Sequence, residues 1–163
     1  MRKRLTIMLS LFAAQAVLAQ PGIPVSMSTT QGVREAGDLF SLATPDTFSY
    51  TIRASNGTFR FAEAVYTAQN SLFRLSTAVR LNLYLKLQRS TRGNVSIDVF
   101  NWRQNAWETK DIRYDITGID SYYQLAAGRD FFSSSGVVRV RIRSRQSILF
   151  RMHFDAVWIV ATA

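Results

Sequence analysis

Apolar and polar residues alternate with a period of two along most of this chain, and helical spacing is nearly absent. The clearest stretch runs from Ala78 to Gln88. Val79, Leu81, Leu83, Leu85 and Leu87 share one face, and Arg80, Asn82, Tyr84, Lys86 and Gln88 share the other. Leucine favours helices intrinsically, but a helix would scatter these leucines around its circumference, so the pattern predicts a half-buried strand. Val95, Ile97 and Val99 alternate with Asn94, Ser96 and Asp98 after Arg92-Gly93-Asn94, which reads as a turn leading into a hairpin partner. Val138, Val140 and Ile142 alternate with Arg139, Arg141 and Arg143. The last strand puts Phe150, Met152 and Phe154 inward and then resumes with Val157 and Ile159, one residue out of phase. A β-bulge at Asp155-Ala156 explains that shift, because two residues there would oppose a single neighbour.

Further strands are predicted at Phe48, Tyr50 and Ile52, at Phe59, Phe61 and Val65, from Trp107 to about Tyr114, and from Tyr122 to Ala126. Ser55-Asn56-Gly57 and Thr117-Gly118 are the intervening turns. About eight short strands punctuated by turns predict an all-β, antiparallel sandwich or barrel as a single domain over residues 32–163. Residues 20–31, with Pro21, Pro24 and a Ser/Thr cluster, are expected to form an extended lead-in with little to pack.

The N-terminus changes where this domain is expected to work. Arg2, Lys3 and Arg4 precede an apolar run from Leu5 to Leu18 that ends in small residues, which is the pattern of a signal peptide over residues 1–19, cleaved before Gln20. The run is shorter than the roughly 20 residues that span a bilayer, and Gln15 interrupts it. A secreted or periplasmic, soluble product without a membrane anchor is therefore expected. The chain carries 20 Lys+Arg against 11 Asp+Glu, and removing the three leader cations leaves seventeen against eleven, a net of +6. With no cysteine, thiol catalysis, disulfides and thiolate metal sites are excluded, and stability must come from packing.

Several segments taken together resemble a known family. Gly37-Asp38-Leu39-Phe40-Ser41-Leu42, the run Val99-Phe100-Asn101-Trp102 with Trp107 five residues on, Gly136-Val137-Val138-Arg139-Val140-Arg141, and the terminal Phe150-x-Met152-x-Phe154-Asp155-x-Val157-x-Ile159 look like the galactose-binding-like jelly-roll modules of bacterial secreted proteins. That resemblance, to domains of the carbohydrate-binding-module kind, implies an antiparallel jelly-roll β-sandwich with a glycan-binding or spacer role.

Two constellations are candidates for a site. In the first, Trp102 and Trp107 offer faces on which sugar rings stack, and Asn101 offers hydrogen bonds to hydroxyls. The competing reading makes the segment a hairpin corner, with asparagine side chains satisfying turn amides and the tryptophans closing the core. In the second, Arg139, Arg141, Arg143 and Arg145 fall on one face of a strand, with Arg151 and His153 expected beside them on an adjacent final strand. Together they would form a cationic stripe for an anionic polysaccharide, nucleic acid being the less suited partner of an exported protein. The plain alternative is a solvated sheet face.

Catalysis is not expected. His153 is the only histidine, no nucleophile-elbow sequence occurs, and Asp98, Glu108, Asp111, Asp115, Asp120 and Asp130 fall at turns and strand faces where acids stay solvated. No cofactor is implied; a structural calcium between a loop near Asp46 and Asp155 is the one metal considered. Asn56-Gly57-Thr58 and Asn94-Val95-Ser96 match the glycosylation pattern and are assigned no role. Two functions remain, a binder of glycan or anionic cell-surface polymer and a structural or protein-interaction component of the cell envelope.

Overall fold

The computed structural model describes residues 20–43, 48–70, 80–126 and 128–162. Within them lie nine strands: β1 Gln20–Pro21, β2 Ile23–Gln31, β3 Val33–Ala36, β4 Tyr50–Arg53, β5 Arg60–Gln69, β6 Arg80–Asn101, β7 Ala106–Ala126, β8 Val137–Gln146 and β9 Arg151–Thr162. Every ladder is antiparallel. Single 3-10 turns occupy Phe40–Leu42 and Arg129–Phe131, and no helix among the described residues is long and apolar enough to cross a membrane.

The organising element is the long hairpin of β6 and β7, of 22 and 21 residues. Arg80 to Arg89 of β6 pair with β9, whereas Ser96 to Val99 pair with β8. One half-sheet therefore runs β2-β5-β8-β6-β7 and the other β3-β4-β9-β6-β7, with β1 added to β9. The turns expected at Arg92-Gly93-Asn94 and Thr117-Gly118 are not turns. Gly93 pairs with Ile116 and Gly118 with Gln88, and the register slips on both sides of Gly93. Glycine and irregular register let a strand bend sharply and pass from one half-sheet to the other, so these signals mark a corner of the sandwich. A Cβ on Gly93 would meet the ends of the Gln146 and Arg89 side chains, which lie over the corner.

The core lies between the two halves. Leu81, Leu83, Leu85 and Leu87 are fully buried, as the alternation requires, facing Val95, Ile97, Val99, Val138, Val140 and Ile142; Val79 lies outside the described residues. The row ends unexpectedly on Arg89, which points inward at 5% exposure with its guanidinium 4.8 Å from the Phe150 ring centre. The Tyr50 hydroxyl reaches across from β4 to the Thr29 hydroxyl on β2 at 2.9 Å. The β9 phase shift is the expected bulge: Lys86 opposes Ala156 and Leu87 opposes Phe154, leaving Asp155 unmatched.

Residues 20–31, expected as an extended lead-in with little to pack, form strands: β1 pairs with β9, and β2 pairs with β5 over nearly its whole length, with Met27 buried. Polar residues at Ser26, Ser28 and Thr30 suit the solvent side of an edge strand, which needs only one apolar face. Gly32 then turns the chain toward the other half-sheet at φ +92, where an added Cβ would lie 2.5 Å from the Arg53 carbonyl oxygen.

Candidate functional site

Period-two geometry puts Arg139, Arg141, Arg143 and Arg145 of β8 on the outer face of the β2-β5-β8-β6-β7 half-sheet. The strands beside β8 decide what these cations do. Arg141 lies opposite Asp98 on β6, and Asp98 lies opposite Thr109 on β7. Asp98 is completely buried. Its Oδ2 accepts from Arg141 Nε and Nη2, each at 2.8 Å, and from Arg143 Nε at 3.0 Å, while Oδ1 accepts from the Thr109 hydroxyl at 2.7 Å. A buried carboxylate is tolerated only with compensation of this kind. Glu63 on β5 adds a second carboxylate 3.7 Å from Arg141.

This cluster corrects two expectations. Asp98 is not a solvated acid, and Arg141, with a side chain 17% exposed, is not part of a plain solvated row. The sequence places Asp98 among the outward positions of β6 and the arginines among those of β8, but which outward residues meet depends on strand pairing, which periodicity does not reveal.

The cationic stripe also divides. Residues 147–150 carry the chain from one half-sheet to the other, so β9 pairs with β6, β4 and β1 rather than with β8. Arg151 therefore lies on the opposite outer face, where its Nε meets Glu35 at 2.6 Å, and Glu35 also meets Arg53 at 2.9 Å. The hydrogen bond from Arg151 holds the Glu35 carboxyl below its ordinary range. His153 Nδ1 lies 3.0 Å from the Thr51 hydroxyl, and burial followed by the nearby Arg151 pushes the imidazole pKa down, favouring the neutral ring. Asp46 lies outside the described residues, and Asp155 forms an ion pair with Lys86 at 2.5 Å.

At the other end of β8 the aromatic segment behaves as a hairpin corner. Asn101 Oδ1 accepts from the backbone amides of Arg103 and Gln104, both at 3.0 Å, and Asn105 takes φ +53, a conformation asparagine tolerates. Asn101 Nδ2 also donates to Glu108 at 2.5 Å; the Lys110 ammonium at 2.7 Å, then this amide, hold the Glu108 carboxyl low. Phe100 packs edge-on against Trp102 and Trp107, with centroids 5.0 and 5.2 Å away. Guanidinium carbons of Arg141 and Arg139 lie 4.6 and 5.4 Å from the Trp107 ring centre, so that ring's face is engaged by arginine. Trp102 is partly exposed, and its indole nitrogen is buried without a partner among the described residues.

Hollows open at both ends of β8 on this face. A groove of about 470 Å³ opens where β6 leaves β8 for the other half-sheet, lined by Gln31, Phe61, Glu63, Asn94, Arg143 and Arg145, with Ser96 in its floor. Arg145 lies 3.9 and 5.2 Å from the ring centres of Phe59 and Phe61, and Phe59 is half exposed. A second hollow of about 620 Å³ lies at the hairpin corner between Trp102, Arg103, Arg129, Asp130 and Ser133 to Ser135. The groove brings together Arg143 and Arg145 from the expected row. Phe61, Glu63, Asn94 and Ser96 escaped sequence reasoning; their one signal was outward placement on strands whose neighbours were unknown.

No protein-family model and no curated protein matches this chain. Among solved structures it is similar to a family 61 carbohydrate-binding module in complex with β-1,4-galactotriose, with TM-score 0.51 and 6% identity over 82% of this chain and 85% of that one. It is also similar to a family 30 carbohydrate-binding module of a cellulosomal cellulase of Clostridium thermocellum, with TM-score 0.47 and 13% identity over 88% and 97% of the two chains. A family 29 module from Piromyces equi gives TM-score 0.44 and 8% identity over 91% and 92%. At such identities the likeness is one of fold: the chain is an antiparallel β-sandwich like that of the family 61 module.

Proposed function

We propose that this chain is an exported, non-catalytic module that captures a glycan in the groove between β5, β8 and β6. The observation that carries the reading is the convergence there of an aromatic ring, Phe61, with acceptors and donors from Glu63, Asn94, Ser96, Arg143 and Arg145. An apolar ring face matches the C–H surface of a sugar, and a few fixed polar groups match its hydroxyls. The fold supports this use, since the family 61 module holds a galactotriose. A non-catalytic role is supported by the state of the titratable groups: Asp98 is locked by two arginines and a threonine, and His153 is engaged by Thr51. The tripartite N-terminus supports export, and N-terminal sequencing of exported material should begin at Gln20.

The test is retention of residues 20–163 on a panel of polysaccharide gels, alongside Phe61→Ala and Arg145→Ser. Retention lost in both variants, with the ligand recovered at unchanged length, supports the reading; equal retention of all three proteins on every gel that binds refutes the groove. One observation favours a protein-interaction role instead. Among the described residues the outer edge of β7 pairs with no strand, while Tyr114 and Tyr122 on it are 68% and 71% exposed.

A further inference from the structure

The groove and the corner hollow lie at opposite ends of one strand on one outer face. Arg143 and Arg145 line the groove, and Val137 lines the corner. From Val137 to Arg145 the strand advances roughly 26 Å at about 3.3 Å per residue. Arg139, Arg141 and Arg143 occupy every outward position between the ends, and Phe100 links the Trp102 and Trp107 rings beside them.

Charge along this path is unbalanced. Among the described residues, the acids that pair with Arg103, Arg129, Arg139, Arg141, Arg143 and Arg145 are Glu63, Asp98 and Asp130 alone. Asp98 is shared by Arg141 and Arg143, and Asp130 is 3.7 Å from Arg103. Arg139 and Arg145 make cation–aromatic contacts and, among the described residues, no ion pair; neither does Arg129 in the corner. The corner adds the Trp102 indole N–H, a buried donor without a partner among the described residues, beside Arg103 and Arg129. Guanidinium groups present planar forks that match carboxylate and sulfate oxygens.

Resting on the glycan reading above, we infer that the ligand is an extended acidic polysaccharide, of the uronate or sulfated class, lying along β8 and held at both ends, in the Phe61–Arg145 groove and in the Trp102–Arg129 corner. Two weak contacts joined by one polymer reinforce each other through effective concentration. The arginines between add attraction that reaches about 10 Å at 0.1 M salt and about 3 Å at 1 M.

The experiment measures binding of polygalacturonate, its trimer, a neutral galactan and single-stranded DNA to the wild type, Arg145→Ser, Arg129→Ser and Trp102→Phe. Arg129 is exposed, so its replacement leaves packing intact even if Trp102→Phe disturbs the corner. The polymer is expected to bind on the order of a hundred-fold more tightly than the trimer. Arg129→Ser should remove most of that advantage without changing trimer affinity, and 1 M salt should abolish polymer binding. Equal affinity for polymer and trimer, or a silent Arg129→Ser, overturns the two-point inference while leaving single-groove glycan capture standing. Tighter binding to neutral galactan overturns the acidic assignment. Equal binding of DNA through the same residues overturns the polysaccharide in favour of a generic polyanion. No retention of any glycan defeats the glycan reading itself.

Discussion

Replacing Asp98 by asparagine isolates the charge at the centre of the outer face. The amide is isosteric and keeps an acceptor toward the arginines, while its NH2 can donate to the Thr109 hydroxyl, so the hydrogen bonds largely survive. What disappears is the counter-charge for Arg141 and Arg143, whose side chains are 17% and 45% exposed. Removing one partner of a fully buried ion pair costs about 3–5 kcal/mol. Arg143 can rehydrate and Arg141 retains Glu63 at 3.7 Å, so the loss expected here is about 2–3 kcal/mol. Urea titration followed by tryptophan fluorescence gives the value directly, and a thermal melt should fall by roughly 2–4 °C for each kcal/mol. The same substitution adds one net positive charge to the proposed path, so affinity for polygalacturonate should rise as stability falls. A stability loss under about 0.5 kcal/mol, the range of ordinary surface changes, would show that Asp98 is solvated and that the ion cluster does not hold the face together.

Leu83→Ala, in the middle of the buried β6 row, should destabilise by about 2–5 kcal/mol in the same urea assay. Arg141→Ala should cost about 1–3 kcal/mol, because Asp98 stays buried with Arg143 as its remaining cation. Arg89→Met should stabilise the protein by about 1–3 kcal/mol, since the guanidinium is buried with no hydrogen-bond partner among the described residues and methionine fills similar space against Phe150; a lower urea midpoint would show that the cation is paired in solution. His153 has a folded pKa below its ordinary value, so its contribution to stability is present above about pH 6.5 and is lost as pH falls through the folded value. His153→Gln should flatten the pH dependence of the urea midpoint in that window, whereas Glu35 and Glu108, also held low, act only at more acidic pH.

Local pattern revealed more of the fold than of the site. The Leu81 to Leu87 row, the inward Val138, Val140 and Ile142, and the Asp155 bulge follow from a period of two that depends only on chain geometry. The Asn101 turn was equally legible, because its side chain bonds amides two and three residues away. Gly93 and Gly118 misled, since glycine permits both a reversal and a corner, and only the length of the ladder on each side distinguishes them. Asp98, Glu63 and Phe61 acquire meaning from β8, whose partners are remote in sequence. Arg151 and His153 were joined to the row by their nearness along the chain, which the crossing at residues 147–150 cancels.

The corner at Gly93 and Gly118 has a mechanical side. Because β6 and β7 run through both half-sheets as continuous strands whose register slips on both sides of Gly93, any hinging of one half against the other would have to act at that corner and leave each half's own ladders intact. The outer face of β8 is thus a stiff platform: its arginines are braced against Asp98, Phe100 and Trp107 before any ligand arrives. A rigid receptor loses little conformational freedom on association, so the backbone should move by less than about 1 Å between free and bound forms. Tension transmitted along a polymer captured on β8 would be borne in shear by the hydrogen-bonded β5, β8 and β6 strands of that half-sheet.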